Sequence, residues 1–159
     1  MIYFDMDGVL CNFRKAAKEL DPDIWKIENR DVEEFWGIIS KRGVGFWRDM
    51  DPIMDGVRLH HEVTKFTNEI SVLTAYPDSE NLKLSCYAKK GKTEWIQKYN
   101  IYNQQFICIP ITAKKYYAEG NILIDDYKKN IKEWNNEGGT GILFRDFEQS
   151  FYELQEVLK

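Results

Sequence analysis

At 159 residues, with 43% hydrophobic and 30% charged side chains, the chain is long enough for one domain with its own core and too apolar to be disordered by default. A net charge of -4 argues against a scaffold for long nucleic acid, which needs excess Lys and Arg, but a mononucleotide needs only a local positive site. Three scattered cysteines (Cys11, Cys86, Cys108) and a single adjacent pair, His60-His61, make neither a disulfide framework nor a zinc site. The first strand-like run begins at residue 2 and no apolar run approaches a membrane span, so the expectation is a cytoplasmic protein with no membrane partner.

Ile2-Tyr3-Phe4 has the β-branched and aromatic character of a buried strand, and Asp5-Met6-Asp7-Gly8 follows it, two carboxylates and then a residue suited to a sharp turn. In open α/β sheets ligands bind at the C-terminal ends of strands, and paired carboxylates there suit a hard cation with oxygen ligands. The alternative for this tetrapeptide alone is a turn in which both aspartates bond nearby backbone amides. From Cys11 to Leu20, Phe13, Ala16, Ala17 and Leu20 recur at helical spacing, and Asp21-Pro22-Asp23 breaks the helix. The segment to about Arg48 is rich in aromatics and charges but poor in strand alternation, which predicts a small helical cap.

Helical spacing returns at Asp55 to Asn68, followed by a strand at Ile70 to Leu73 that Thr74 ends. A short helix is expected at Lys92 to Tyr99, with Lys92 in a packing element, and a strand at Phe106 to Ile109 limited by Pro110. Ala113 to Ala118 reads as a short helical or turn segment. A strand at Ile122-Leu123-Ile124 then ends in Asp125-Asp126, a second acidic pair at a strand end. Two such ends side by side concentrate four negative charges, and a metal is the simplest reason to build this. The alternative for Asp125-Asp126 alone is the cap of a helix N-terminus. A helix around Ile131 and Trp134 stopped by Gly138-Gly139, a strand at Thr140 to Phe144 and a C-terminal helix from Glu148 complete the chain. Strands alternating with helices predict an α/β fold, a doubly wound, Rossmann-like parallel sheet of five strands. The expected organisation is one domain over residues 1–159, with a core of 1–13 and 54–159 and a helical cap inserted after the first strand at about 14–53.

The chain resembles the haloacid dehalogenase-like phosphohydrolases by motif and by order: Asp5-Met6-Asp7-Gly8-Val9-Leu10, then Val72-Leu73-Thr74, then Lys115, then Asp125-Asp126. Asp5 to Phe13, Phe35-Trp36, Gly45-Phe46-Trp47 through Asp51-Pro52-Ile53, Lys92-Thr93-Glu94-Trp95 and Lys115 through Asp126 are similar to the 5′(3′)-deoxyribonucleotidases. The resemblance implies a Mg²⁺-dependent phosphomonoesterase in which Asp5 is the nucleophile and Asp7 the general acid and base. It implies Asp126 as a direct ligand of Mg²⁺ together with Asp5 and the Asp7 carbonyl, and Asp125 in the outer shell. Thr74 and the Ala75 amide would bind phosphate. Lys115, chosen over Lys114 because its ten-residue interval to Asp125 matches the family, would neutralise phosphoryl charge; Lys92 is the rival for that role, but Lys92-Thr93-Glu94-Trp95 at a helix start looks more like a packing element. Phe35, Trp36, Phe46 and Trp47 would wall a nucleoside pocket, although aromatics in a small cap also serve as its core. Two departures stand out: Ala75 replaces a serine, and the spacing from Trp36 to Phe46 makes a shorter cap.

The implied substrate is a deoxynucleoside monophosphate, and a dimer, known in that family, is left open. The alternatives are a phosphatase of another small phosphomonoester or of nucleic-acid 3′-phosphate ends, and a catalytically silent module that binds a nucleotide or a partner.

Overall fold

The computed structural model describes residues 1–159. Five parallel strands, β1 (Ile2–Phe4), β2 (Ile70–Tyr76), β3 (Phe106–Pro110), β4 (Ile122–Asp125) and β5 (Thr140–Leu143), lie in the order β3-β2-β1-β4-β5. Helices cover both faces, so the strands read as continuous apolar runs. Alternation sorts them between the two layers. Ile2, Phe4, Val72 and Ile124 join the main core, whereas Tyr3, Leu73 and Leu123 pack on the other face with Ala118 and Trp134. The doubly wound parallel sheet is the expected one. Because the chain leaves β1 for β2 on one side and returns to β4 on the other, the ends of β1 and β4 flank a topological switch point, the usual site of ligands.

The helices are α1 (Phe13–Leu20), α2 (Ile24–Arg30), α3 (Val32–Ser40), α4 (Val44–Arg48), α5 (Met54–Thr64), α6 (Leu82–Lys98), α7 (Lys128–Asn136) and α8 (Phe147–Val157), with a 3₁₀ helix at Ile111–Tyr117. Their starts follow local chemistry: the side chains of Asn12, Asp31, Asn81 and Asp146 accept from the N–H groups of Lys15, Glu34, Lys83 and Gln149. Two elements run longer than the sequence suggested. β2 continues through Thr74 to Tyr76 because β3 pairs with it as far as Tyr76↔Pro110. The segment from Lys83, ambiguous by pattern, is the first half of α6, so Lys92 sits inside a 17-residue helix rather than at the start of a short one.

Helices α2 and α3 pack on each other and on α1, while α4 lies against α6. A Cβ on Gly91 would come within 2.5 Å of the Val44 carbonyl and 2.7 Å of Trp47 Cβ, so only glycine permits this approach. Trp95 Nε1 adds a 2.8 Å bond to the Met50 carbonyl. Trp47 is thereby fixed to the core helix that carries Lys92.

His60 of α5 is fully buried with its ring edge-on to Phe4, and its Nε2–H donates to the Tyr102 carbonyl at 2.7 Å. Nδ1 has no partner. Burial therefore pushes His60 down to about 4. A depressed histidine contributes stability above its unfolded pKa, and that contribution drains away as pH falls from ~6.5 toward ~4, about 3 kcal/mol at full extent. Buried carboxylates elsewhere act in the opposite direction, so the readout is a difference. His60→Gln, which keeps the donor to Tyr102, is expected to flatten the loss of melting temperature between pH 7.5 and 4.5 relative to wild type. Parallel curves for the two proteins would disprove a neutral His60.

Candidate active site

The site starts from the turn after β1. The Asp5 N–H donates to the Ile124 carbonyl at 2.9 Å, tying the ends of β1 and β4 together. The Met6 carbonyl accepts from the N–H groups of Leu10 and Cys11, both at 2.9 Å, and the Gly8 N–H donates to the Cys11 carbonyl at 2.8 Å. This tight loop needs Gly8 at φ 86°, and a Cβ there would fall 2.2 Å from Asp126 Oδ2. Glycine at position 8 thus both turns the chain and lets the Asp126 carboxylate lie over the loop. The turn is pinned from outside by the 51–53 segment, through Asn12 N–H to Asp51 O and Ile53 N–H to Leu10 O, each 2.8 Å.

Asp5, Asp125 and Asp126 converge, each offering a carboxylate oxygen within 4.8 Å of the others. Their surroundings differ. Asp125 is saturated: Oδ1 accepts from the Tyr127 N–H at 2.8 Å, and Oδ2 accepts from Lys114 Nζ at 2.9 Å and Asn130 Nδ2 at 2.8 Å. Asp5 is 6% exposed, and its Oδ1 lies 2.8 Å from Lys114 Nζ, its one protein partner at that distance. Asp126 has its carboxylate at the solvent-facing rim, against Gly8.

The lysine between Asp5 and Asp125 is Lys114, not Lys115. Spacing from Asp125 named the wrong one of two neighbours because the segment is a 3₁₀ helix, in which successive side chains point about 120° apart. Lys114 turns inward and is buried, whereas Lys115 Nζ lies 5.6 Å over the Tyr116 ring. Burial works against the Lys114 ammonium, but Asp5 and Asp125 outweigh it and hold its pKa above the usual lysine range.

Lys92 is the second correction. It is not a packing element but a fully buried cation, whose Nζ donates to Asp7 Oδ2 at 2.7 Å, Thr74 Oγ1 at 2.8 Å and the Ala75 carbonyl at 2.7 Å. Local sequence pattern misses it because the pattern starts the helix too late: a lysine at a helix start reads as surface, whereas one flanked by Gly91 and Trp95 on a buried stripe does not.

Of the four cap aromatics, the structure brings Trp36 and Trp47 to the site. They line a cavity of about 330 Å³ together with Asp7, Phe13, Ala75, Tyr76, Pro77, Asp78, Ile111 and Tyr127. Phe35 and Phe46 do not line it; both are buried, Phe35 edge-on to Trp36 and Phe46 edge-on to Phe13 and Trp47. Adjacent helical residues project roughly 100° apart, so only one of each Phe-Trp pair can face the cavity. Tyr76, Pro77, Ile111 and Tyr127 are not legible in the sequence, since each lies at or just past a strand end whose geometry no local pattern specifies. A second cleft of about 450 Å³, lined by Arg14, Trp25, Glu28, Asn29 and Asp126, shares Asp7, Phe13 and Tyr127 with the first.

Electrostatics favour a cation. Burial, with Asp125 and Asp7 adding to it, pushes Asp5 up to about 7 even though Lys114 pulls it down. Burial and the charge of Asp125 push Asp126 up to about 6. One ammonium leaves the three carboxylates under-compensated, and the Asp5 carboxylate beside the exposed carboxylate of Asp126 offers hard oxygen donors. The donor set fits a divalent cation of the Mg²⁺ type.

Three solved structures share this architecture: YfnB of Bacillus subtilis, described as a HAD-hydrolase and solved bound to magnesium (TM-score 0.63, 11% identity, 99% of this chain and 97% of that one); the L-2-haloacid dehalogenase of Xanthobacter autotrophicus (0.58, 9%, 99% and 82%); and a hydrolase of Streptococcus pneumoniae (0.56, 11%, 99% and 96%). The fold is that of the haloacid dehalogenase-like (HAD) hydrolases. Residues 1–153 match the family model of the 5′ nucleotidase, deoxy (pyrimidine), cytosolic type C proteins, and the chain belongs to that family, a family of phosphatases. No curated protein sequence matches it significantly. No helix is long and apolar enough to cross a membrane.

Proposed function

We propose that the protein is a Mg²⁺-dependent 5′-nucleotidase that dephosphorylates deoxynucleoside monophosphates through an aspartyl-phosphate on Asp5. The observation that carries this reading is the pairing of a buried Asp5, ion-paired to Lys114 and converging with Asp125 and Asp126, with an aromatic cavity that is lined by Asp7. Asp5 attacks phosphorus, the ester P–O bond breaks, and Asp7 gives a proton to the departing alkoxide. Asp7 then removes a proton from water, which attacks phosphorus and frees Asp5 and inorganic phosphate. Lys114 neutralises charge on the phosphoryl oxygens, and the Thr74 hydroxyl and Ala75 N–H donate to them. Asp5, Asp126 and the Asp7 carbonyl would hold the cation, with Asp125 orienting Lys114 from behind. Bound there, Mg²⁺ would offset the repulsion between Asp5 and a phosphate dianion.

Trp36 faces the cavity and is half-buried, so base stacking falls to it first. Phosphate release is measured from deoxynucleoside monophosphates and from p-nitrophenyl phosphate, with Mg²⁺ and with a chelator. Nucleotide turnover that the chelator abolishes is expected. Trp36→Ala should raise KM for nucleotides about tenfold to a hundredfold, the worth of one base–aromatic stack, and leave the aryl phosphate nearly unchanged. Trp47 is 1% exposed and wedged on α6, so Trp47→Ala should also cost about 3–5 kcal/mol of stability and is the poorer probe. If Trp36→Ala leaves nucleotide KM untouched, the base does not lie in this cavity.

A further inference from the structure

Lys92 belongs to none of the four motifs through which the resemblance assigned roles, yet all three of its ammonium hydrogens are spent inside the site. We propose that Lys92 is a positioning residue, which fixes the Asp7 side chain for proton transfer to the leaving group and aims the Thr74 hydroxyl at the phosphate. The proposal rests on the phosphatase reading above.

Three observations lead to it. A lysine ammonium can only donate. The 2.8 Å contact therefore makes Thr74 Oγ1 an acceptor, which leaves the hydroxyl hydrogen of Thr74 for another oxygen; Thr74 itself is fully buried and cannot turn to bulk water. In the same way Asp7 Oδ2 is held at 2.7 Å, so the oxygen left to exchange a proton is Oδ1, whose protein contact is the weak donor Cys11 Sγ at 3.6 Å. The Asp7 side chain keeps 28% of its surface exposed and lines both clefts of the site, so the carboxylate borders the space where a substrate fits. Finally, a buried ion pair is a poor way to stabilise a core, because well-packed apolar residues of similar volume do as well or better. Lys92, at 0% exposure between Gly91 and the Trp95 layer of α6, occupies such a place, and its third bond, to the Ala75 carbonyl, locks the strand end that carries Thr74.

The test separates proton transfer from general damage by choice of leaving group. A nucleotide leaves as an alkoxide that needs a proton, whereas p-nitrophenolate departs without one. Lys92→Met, which keeps the stem and removes the donors, is expected to lower kcat for deoxynucleoside monophosphates on the order of a hundredfold, the usual contribution of a positioned acid or base, and to lower kcat for p-nitrophenyl phosphate several-fold at most. Adding Lys92→Met to Asp7→Asn should cost no more on the nucleotide than Lys92→Met costs on p-nitrophenyl phosphate, since Asp7 no longer needs positioning and only the Thr74 contact remains to be lost. Lys92→Gln, which retains an N–H toward Asp7, should recover part of the loss, and it carries the same comparison should the methionine variant fail to fold. Equal losses on both substrates, or multiplicative losses in the double variant, overturn the assignment and leave Lys92 a structural cation. Failure of the wild-type protein to release phosphate from either substrate with Mg²⁺ overturns the phosphatase reading itself, and the role of Lys92 with it.

Discussion

Asp5→Asn is expected to reduce phosphate release by at least about a thousandfold, while the protein folds and melts no lower than wild type. The amide is nearly isosteric but is a poor nucleophile and a weaker cation ligand. Stability should hold or rise in the absence of metal, because the substitution removes a charge from a carboxylate that is 6% exposed and that burial already pushes up to about 7. Active sites commonly store such strain, and relieving it trades function for stability. Single-turnover and steady-state phosphate release on the same preparation, with a thermal melt beside them, provide the check. Near-wild-type turnover by Asp5→Asn would remove the covalent mechanism.

The second large effect concerns Lys114. Lys114→Met is expected to destabilise the metal-free protein by about 3–5 kcal/mol, because it strands Asp5 and Asp125 as buried carboxylates without their shared cation. In a domain of this size that is a drop of roughly 10 °C in melting temperature. The sign of the pH dependence follows. Without Lys114 the folded-state pKa of Asp5 rises further above its unfolded value, so stability is retained at low pH and lost as pH climbs through the folded pKa. The deficit should therefore be larger at pH 9 than at pH 6, and Mg²⁺ should narrow it. Turnover should fall about a hundredfold or more, as for loss of a charge-stabilising donor. Lys115→Met, beside the exposed Tyr116 ring, should stay within about 0.5 kcal/mol of wild type. A Lys115 variant more damaged than its Lys114 counterpart would restore the spacing argument that the geometry displaced.

The two lysines show where local reading stops. Asp5, Asp7, Asp125 and Asp126 were legible because each pair closes an apolar strand, and a parallel sheet has to bring the ends of neighbouring strands to one edge. Lys114 and Lys92 were not, because a lysine looks the same in sequence whether it caps a surface or fills a cavity. Counting ten residues back from Asp125 assumes a particular winding of the intervening segment, and a 3₁₀ helix rotates the neighbouring side chain into the site instead. Lys92 was hidden by a helix boundary: Lys83 to Lys90 is too polar to show a stripe, so α6 seemed to begin where its buried half begins.

By itself, then, the sequence determined the parallel five-stranded sheet, its acidic edge and the glycine turn over it, since these depend on periodicity of two, on strand-end carboxylates and on backbone freedom, all written in neighbouring residues. Which member of each Phe-Trp pair faces the cavity, which of two consecutive lysines answers Asp5, and how Lys92 reaches Asp7 across 85 positions of chain were decided only by tertiary structure. These choices turn on the rotation of a helix about its axis and the packing of α4 on α6 across Gly91, and neither is set until the elements meet.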